Sequence, residues 1–120
     1  MERALLIAFR ERVLAGIREQ LARESASAET RRAEVVPIVF SAIARARSEG
    51  RCGRAWLFGS FAWGSPQERS DVDVLVEGCA EPDSLAGEIW RVADRPVHVV
   101  EIERAAPSLV ERVLSEGHPL

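Results

Sequence analysis

Three short apolar runs set among stretches of helical periodicity predict an α/β (α+β) fold, a small mixed sheet covered by helices. The runs are Ala55–Phe58, Val72–Val76 and Val97–Ile102, set off by turn signals such as Gly59-Ser60 and Arg95-Pro96. Around them, apolar residues recur at three- and four-residue spacings, the mark of helices with one buried face. Size is the third observation. A chain of 120 residues, 47% hydrophobic and 29% charged, can bury one core and is too short for two ordinary domains.

In chain order, residues 3–24 carry Leu6, Phe9, Val13, Leu14, Ile17 and Leu21 on helical spacing, with Glu19 and Arg23 four apart as a pair. The small polar stretch Glu24-Ser25-Ala26-Ser27-Ala28-Glu29-Thr30 predicts a break, so residues 1–28 form a helical extension and residues 29–120 the main domain. The extension either covers the sheet or meets a second chain. A second helix is expected up to about Ser48, burying Val36, Val39, Phe40 and Ile43; Pro37 starts its regular part or kinks it, and Glu49-Gly50 stops it. Ala55–Phe58 is the first strand. Gly59-Ser60 turns it into a short helical segment that Gly64-Ser65-Pro66 ends, and the second strand is Val72–Val76. Pro82-Asp83 opens a helix with Leu85, Ile89, Trp90 and Val92 as apolar positions, which Arg95-Pro96 closes. Val97–Ile102 is the third strand, and a last helix from Pro107 uses Leu109, Val110, Val113 and Leu114 before Gly117; His118 reads as a tail residue.

Composition excludes several functions. The net charge of -3 and pI near 5.5 give no basic face for extended nucleic acid. All sixteen basic residues are Arg, so a P-loop, which needs a phosphate-binding Lys, is excluded; with no Tyr, the chain is not its own acceptor for a tyrosine modification. No stretch reaches the roughly 20 apolar residues of a membrane span, and Met1-Glu2-Arg3 lacks a signal-peptide layout, so a cytoplasmic location and no membrane partner are expected. Cys52 and Cys79 lack metal-site spacing and are read as free thiols. Neither a G-x-S-x-G elbow nor a His-Glu-x-x-His helix is present to suggest a hydrolase.

The chemistry concentrates between Gly59 and Asp73. On a strand, Asp71 and Asp73 share a face with alpha carbons about 6.6 Å apart, near enough for both carboxylates to reach one ion. Two carboxylates about 4 Å apart repel by roughly 4 kcal/mol at an effective dielectric of 20, which a divalent cation reverses. Oxygen ligands from few side chains, leaving room for water and phosphate, suit Mg2+. Gly59 lets main-chain N–H groups approach an anion, Ser60 adds a hydroxyl, and the helical start after them favours negative charge. A triphosphate fits between turn and metal.

This run resembles the minimal nucleotidyltransferase domains, which share the DNA polymerase beta-like nucleotidyltransferase fold and are marked by Gly-Ser, ten residues, then Asp-x-Asp, the spacing from Gly59-Ser60 to Asp71-Val72-Asp73. Leu57-Phe58, Ser70, the Val97–Ile102 strand and the segment from Glu103-Arg104-Ala105 to Gly117 extend the resemblance over about residues 31 to 117. It implies transfer of a nucleotide monophosphate, typically AMP from ATP, to a protein or small-molecule acceptor. Asp71 and Asp73 would hold Mg2+ (or Mn2+), and Gly59 and Ser60 the triphosphate. It also implies a possible role as the antitoxin of a HEPN toxin, which such proteins adenylylate; a homo-oligomer partner is the other candidate.

Two positions depart from the family pattern. Active members carry a third carboxylate on the next strand, where it binds a second metal or takes the acceptor's proton; the matching segment here is Val97-His98-Val99-Val100, with His98 in that slot. A neutral His accepts a proton near pH 7 but brings no negative charge and serves Mg2+ less well than a carboxylate. Glu101, three residues on, faces the other side of a regular strand. Trp63 stands where many relatives have Arg and reads as a packing anchor, like Trp56 and Trp90, while Arg69 reads as solvated. Two functions therefore stay open: an active nucleotidyltransferase with His98 in the catalytic set, and a degenerate binding or antitoxin module.

Overall fold

The structure is a computed structural model and describes residues 2–120. Its first helix, α1 (Glu2–Ser48), is 47 residues long. Then follow β1 (Ala55–Phe58), a 3-10 turn (Gly59–Phe61), β2 (Val72–Val76), α2 (Pro82–Ala93), β3 (Val97–Glu101), α3 (Pro107–Glu116) and β4 (His118–Pro119). The expected small mixed sheet is present: its order is β3-β2-β1-β4, with β2 and β3 parallel and the other pairs antiparallel. The parallel pair is joined by α2, as a parallel connection requires a crossover.

Side-chain alternation on the strands separates two cores. Val72, Val74 and Val76 of β2, with Leu57 of β1, pack under Val35, Val39 and Ile43 of α1 and Leu85 and Ile89 of α2. Trp56, Phe58 and Leu75 point to the other face, where Val113 of α3 covers them. Asp73 shares that second face by the same alternation. It sits at the level where β1 ends and β3 begins, since Phe58 and His98 are its register partners.

The expected break at residues 24–30 does not occur. None of these residues is Gly or Pro, so continuing the helix costs only tenths of a kcal/mol per residue, and the Thr30 hydroxyl donates back to the Ala26 carbonyl within it. The helix also runs through Pro37, which lies on its exposed side between the buried Val35 and Val39. Phe40, expected in the core, is exposed; so are Trp90, Val92 and Leu114. The helix ends as foreseen: Gly50 takes a φ of +73°, with its N–H bonded to the Arg47 carbonyl and that of Arg51 to Ala46.

A further correction concerns the chain's last residues. His118 is no tail residue but pairs with Leu57 in β4, and Leu120 is buried, its N–H bonded to the Ala55 carbonyl. Gly117 makes this possible, because a Cβ there would crowd the carbonyls of Val113 and Leu57. Residues 2–27 of α1, by contrast, bury no side chain and do not cover the sheet. They project from the body, giving extents of 72 × 30 × 18 Å and a radius of gyration of 19.5 Å, against about 14 Å for a compact chain of this length. No described helix is long and apolar enough to cross a membrane.

Cys52 and Cys79 are both free, Cys52 buried at the core edge. Burial first, and the neighbouring Cys79 second, push the Cys52 thiol up from 9.0 to about 11. Since the thiolate is the nucleophile, alkylation of Cys52 in the folded chain at pH 8 should run about 100-fold slower than in the denatured chain. Peptide mapping after timed iodoacetamide labelling checks this.

Candidate functional site

The turn after β1 is shaped by one close approach. Gly59 takes a φ of +75°, a left-handed conformation that L side chains rarely adopt, and a Cβ built on it would collide with the Asp73 carboxylate. The glycine therefore meets two demands, bending the chain out of β1 and leaving room for the acid opposite. The N–H groups of Ala62 and Trp63 both bond to the Gly59 carbonyl, which closes the 3-10 turn carrying Ser60. Gly64 packs at the limit of contact on Ser60, 3.0 Å from a built Cβ to its alpha carbon.

The loop that follows is held from two sides by arginines that the sequence did not single out. Arg32 of α1 donates to the carbonyls of Phe61 and Gly64, and Arg31 to that of Pro66. From below, Arg95 donates to the Ser70 carbonyl at 3.0 Å, and its guanidinium lies 5.1 Å from the centre of the Phe61 ring. Its Nε is buried without a partner. Ser70 accepts the Gln67 N–H at 2.7 Å, which tightens the turn leading into Asp71. These are positioning residues: they fix the main chain on either side of Ser60 and Asp71. Their signal is invisible locally, because each reaches a carbonyl 25 to 35 residues away in sequence.

Asp71 precedes β2 and Asp73 lies within it; both are partly exposed. His98 is directly across from Asp73 on β3, its Nδ1 3.4 Å from the Asp73 carboxylate. Asp73 keeps 26% of its side chain exposed and His98 67%. Glu101 pairs with Val76 further along and salt-bridges Arg104 at 3.4 Å, so it takes no part. Trp63 is a packing residue, 6.0 Å from Phe58 between ring centres, with the Arg112 guanidinium stacked 4.2 Å above it. Arg69 is exposed on its loop. A groove of about 890 Å³ between α1 and α2 shares no lining residue with this cluster.

Burial raises the Asp73 carboxyl above its ordinary value; His98 draws it down and the charge of Asp71 pushes it up. Two acids and an imidazole thus converge where Gly59 leaves space. Among the described residues, no group of three or more His, Cys, Asp or Glu side chains is arranged to hold an ion by itself. An ion here needs oxygen from water and a phosphate as well as from the two carboxylates, the habit of Mg2+.

Comparison with known proteins agrees with this fold. The family model "Polymerase beta, Nucleotidyltransferase" matches residues 43–120, and the chain belongs to that family. Among solved structures, a candidate minimal nucleotidyltransferase is 29% identical, with a TM-score of 0.59 over 68% of this chain and 88% of that one. A toxin–antitoxin structure with AMP-PNP is 23% identical, with a TM-score of 0.55 over 66% and 69%. The toxin–antitoxin MntA-HepT is 21% identical, with a TM-score of 0.51 over 68% of each. The fold is close to that seen in these toxin–antitoxin structures. No curated protein matches.

The Asp73 shift predicts a stability change. An acid raised in the folded state stabilises the fold while protonated, fully below its ordinary value of 3.8, and loses that stabilisation as pH rises through the folded value. Asp73→Asn should therefore raise Tm at pH 7 by about 2–5 °C in metal-free buffer, with the gain vanishing below pH 4. Thermal unfolding followed by circular dichroism across pH reads both.

Proposed function

We propose that this chain is a Mg2+-dependent nucleotidyltransferase that moves AMP from ATP onto a hydroxyl of a partner protein, the partner being a HEPN toxin. The observation that carries the reading is the packing of side-chain-free Gly59 against Asp73, with Asp71 and His98 beside it. In this reading Gly59 and Ser60 present main-chain N–H groups and a hydroxyl to the triphosphate. Asp71 and Asp73 would hold Mg2+, which would supply charge neutralisation at the phosphates. Asp73, raised chiefly by burial and further by the charge of Asp71, fits a cation. ATP as the nucleotide is favoured by the structural relative that carries AMP-PNP, and the toxin partner by relatives solved as toxin–antitoxin pairs.

The acceptor hydroxyl oxygen forms a bond to the α-phosphorus as the bond to pyrophosphate breaks. His98 takes the hydroxyl proton, a role open to an exposed neutral imidazole. The division into an extension, residues 1–28, and a nucleotidyltransferase domain, residues 29–120, belongs to the same reading; Ala28 is the first buried side chain of α1. His98 also favours a second reading, a binding or antitoxin module, because the third carboxylate is missing where β3 lies against Asp73.

Transfer from α-labelled ATP with Mg2+ and the partner toxin separates the two. Catalysis predicts label on the toxin, loss of at least 100-fold with Asp71→Asn, and a rise of about tenfold with His98→Asp. No label from wild type or from His98→Asp would leave the binding module.

A further inference from the structure

Above Ala28, α1 carries eight large apolar side chains that are 39% to 68% exposed, from Leu5 to Leu21. A bare helix of this length gains nothing from packing, which is where most helical stability in proteins arises, and exposed apolar surface of this size, with Leu6, Val13, Ile17 and Leu21 on one stripe, marks an interaction surface. The stripe continues the helix's buried one: Ile17, Leu21 and Ala28 lead on at helical spacing to Val35 and Val39, which are packed on the body. Below Ala28 the body covers this face. Above it, no described element of the chain does.

The order of residues on the stripe says what covers it. Spaced by three or four, the positions are Leu6, Arg10, Val13, Ile17, Leu21, Glu24 and Ala28. Read backwards from Ala28, the series is its own complement. Laid antiparallel on itself about Ile17, it sets Ile17 on Ile17, Val13 on Leu21, Arg10 on Glu24 and Leu6 beside Ala28. The two charges that interrupt the apolar stripe thus neutralise each other twice, once on each side of a twofold axis. A parallel pair would instead place Arg10 on Arg10 and Glu24 on Glu24. A lipid surface would have to take up Glu24 on the inserted face.

We propose that residues 6–28 of α1 pair antiparallel with the same segment of a second copy, across a twofold axis at Ile17. By helical rise the pair spans about 33 Å and leaves one body at each end. The chain is then a dimer with one body, and one Gly59–Asp73 site, at each end of the paired helices.

Sedimentation equilibrium of the full chain over the micromolar range tests this. The wild type should be a dimer and Ile17→Glu a monomer. Arg10→Glu should weaken the dimer about tenfold, since two attractions become two repulsions, and adding Glu24→Arg should restore it. Because Arg10 and Glu24 are exposed, the charge series keeps the test decisive even where Ile17→Glu disturbs the helix. A wild type that stays monomeric, whether or not it binds vesicles or a toxin, overturns the proposal. So does a dimer unmoved by Arg10→Glu, or one that the double variant fails to restore.

Discussion

The main chain of Gly59 lies against the carboxylate of Asp73, and the candidate site is built outward from that apposition. It requires the β1–β2 register that sets Phe58 opposite Asp73, because a shift by one residue would turn Asp73 into the α1 and α2 core. It also requires the left-handed φ at Gly59, which aims the 3-10 turn back over the end of β2. With both in place, the turn that carries Ser60 and the strand that carries Asp73 form two sides of the candidate site. The parallel register of β3 then adds His98 as a third.

Holding an acid there is unfavourable by itself. Asp73 loses much of its solvent and faces the charge of Asp71, while an exposed imidazole 3.4 Å away relieves this only in part. Carboxylates kept in such a place are a common sign of a site tuned for charge. The surroundings agree: Arg31, Arg32 and Arg95 all spend donors on main-chain carbonyls of the loops flanking the site rather than on Asp71 or Asp73. Neutralisation of the two acids is left to what binds there. In the proposed reading the His98 position sets how far the chemistry goes, since imidazole can take a proton but does not replace a negative ligand.

Much of this was legible in the sequence because it is local. The strands, the Gly-Ser turn, the spacing to Asp71 and Asp73, and the opposite facing of Glu101 all follow from alternation and turn chemistry over a few residues. What was not legible depends on distance along the chain. Residues 24–30 look like a linker by composition, yet they continue α1; the arginine anchors on the Gly59–Pro66 loop join groups 29 to 35 residues apart in sequence. Phe40 and Trp90 fit helical spacing but fall just outside the buried arc. β4 is two residues long and is set by the closeness of Gly117 to Leu57, which no periodicity reports.

The central claim is that Gly59, Ser60, Asp71 and Asp73 form one place for a metal-bound nucleotide. Calorimetric titration with ATP, with and without Mg2+, of the wild type and of Asp73→Asn measures it most directly. The account predicts binding by the wild type only when Mg2+ is present, and its loss in Asp73→Asn. Binding that ignores Mg2+, or that survives in Asp73→Asn unchanged, would contradict it.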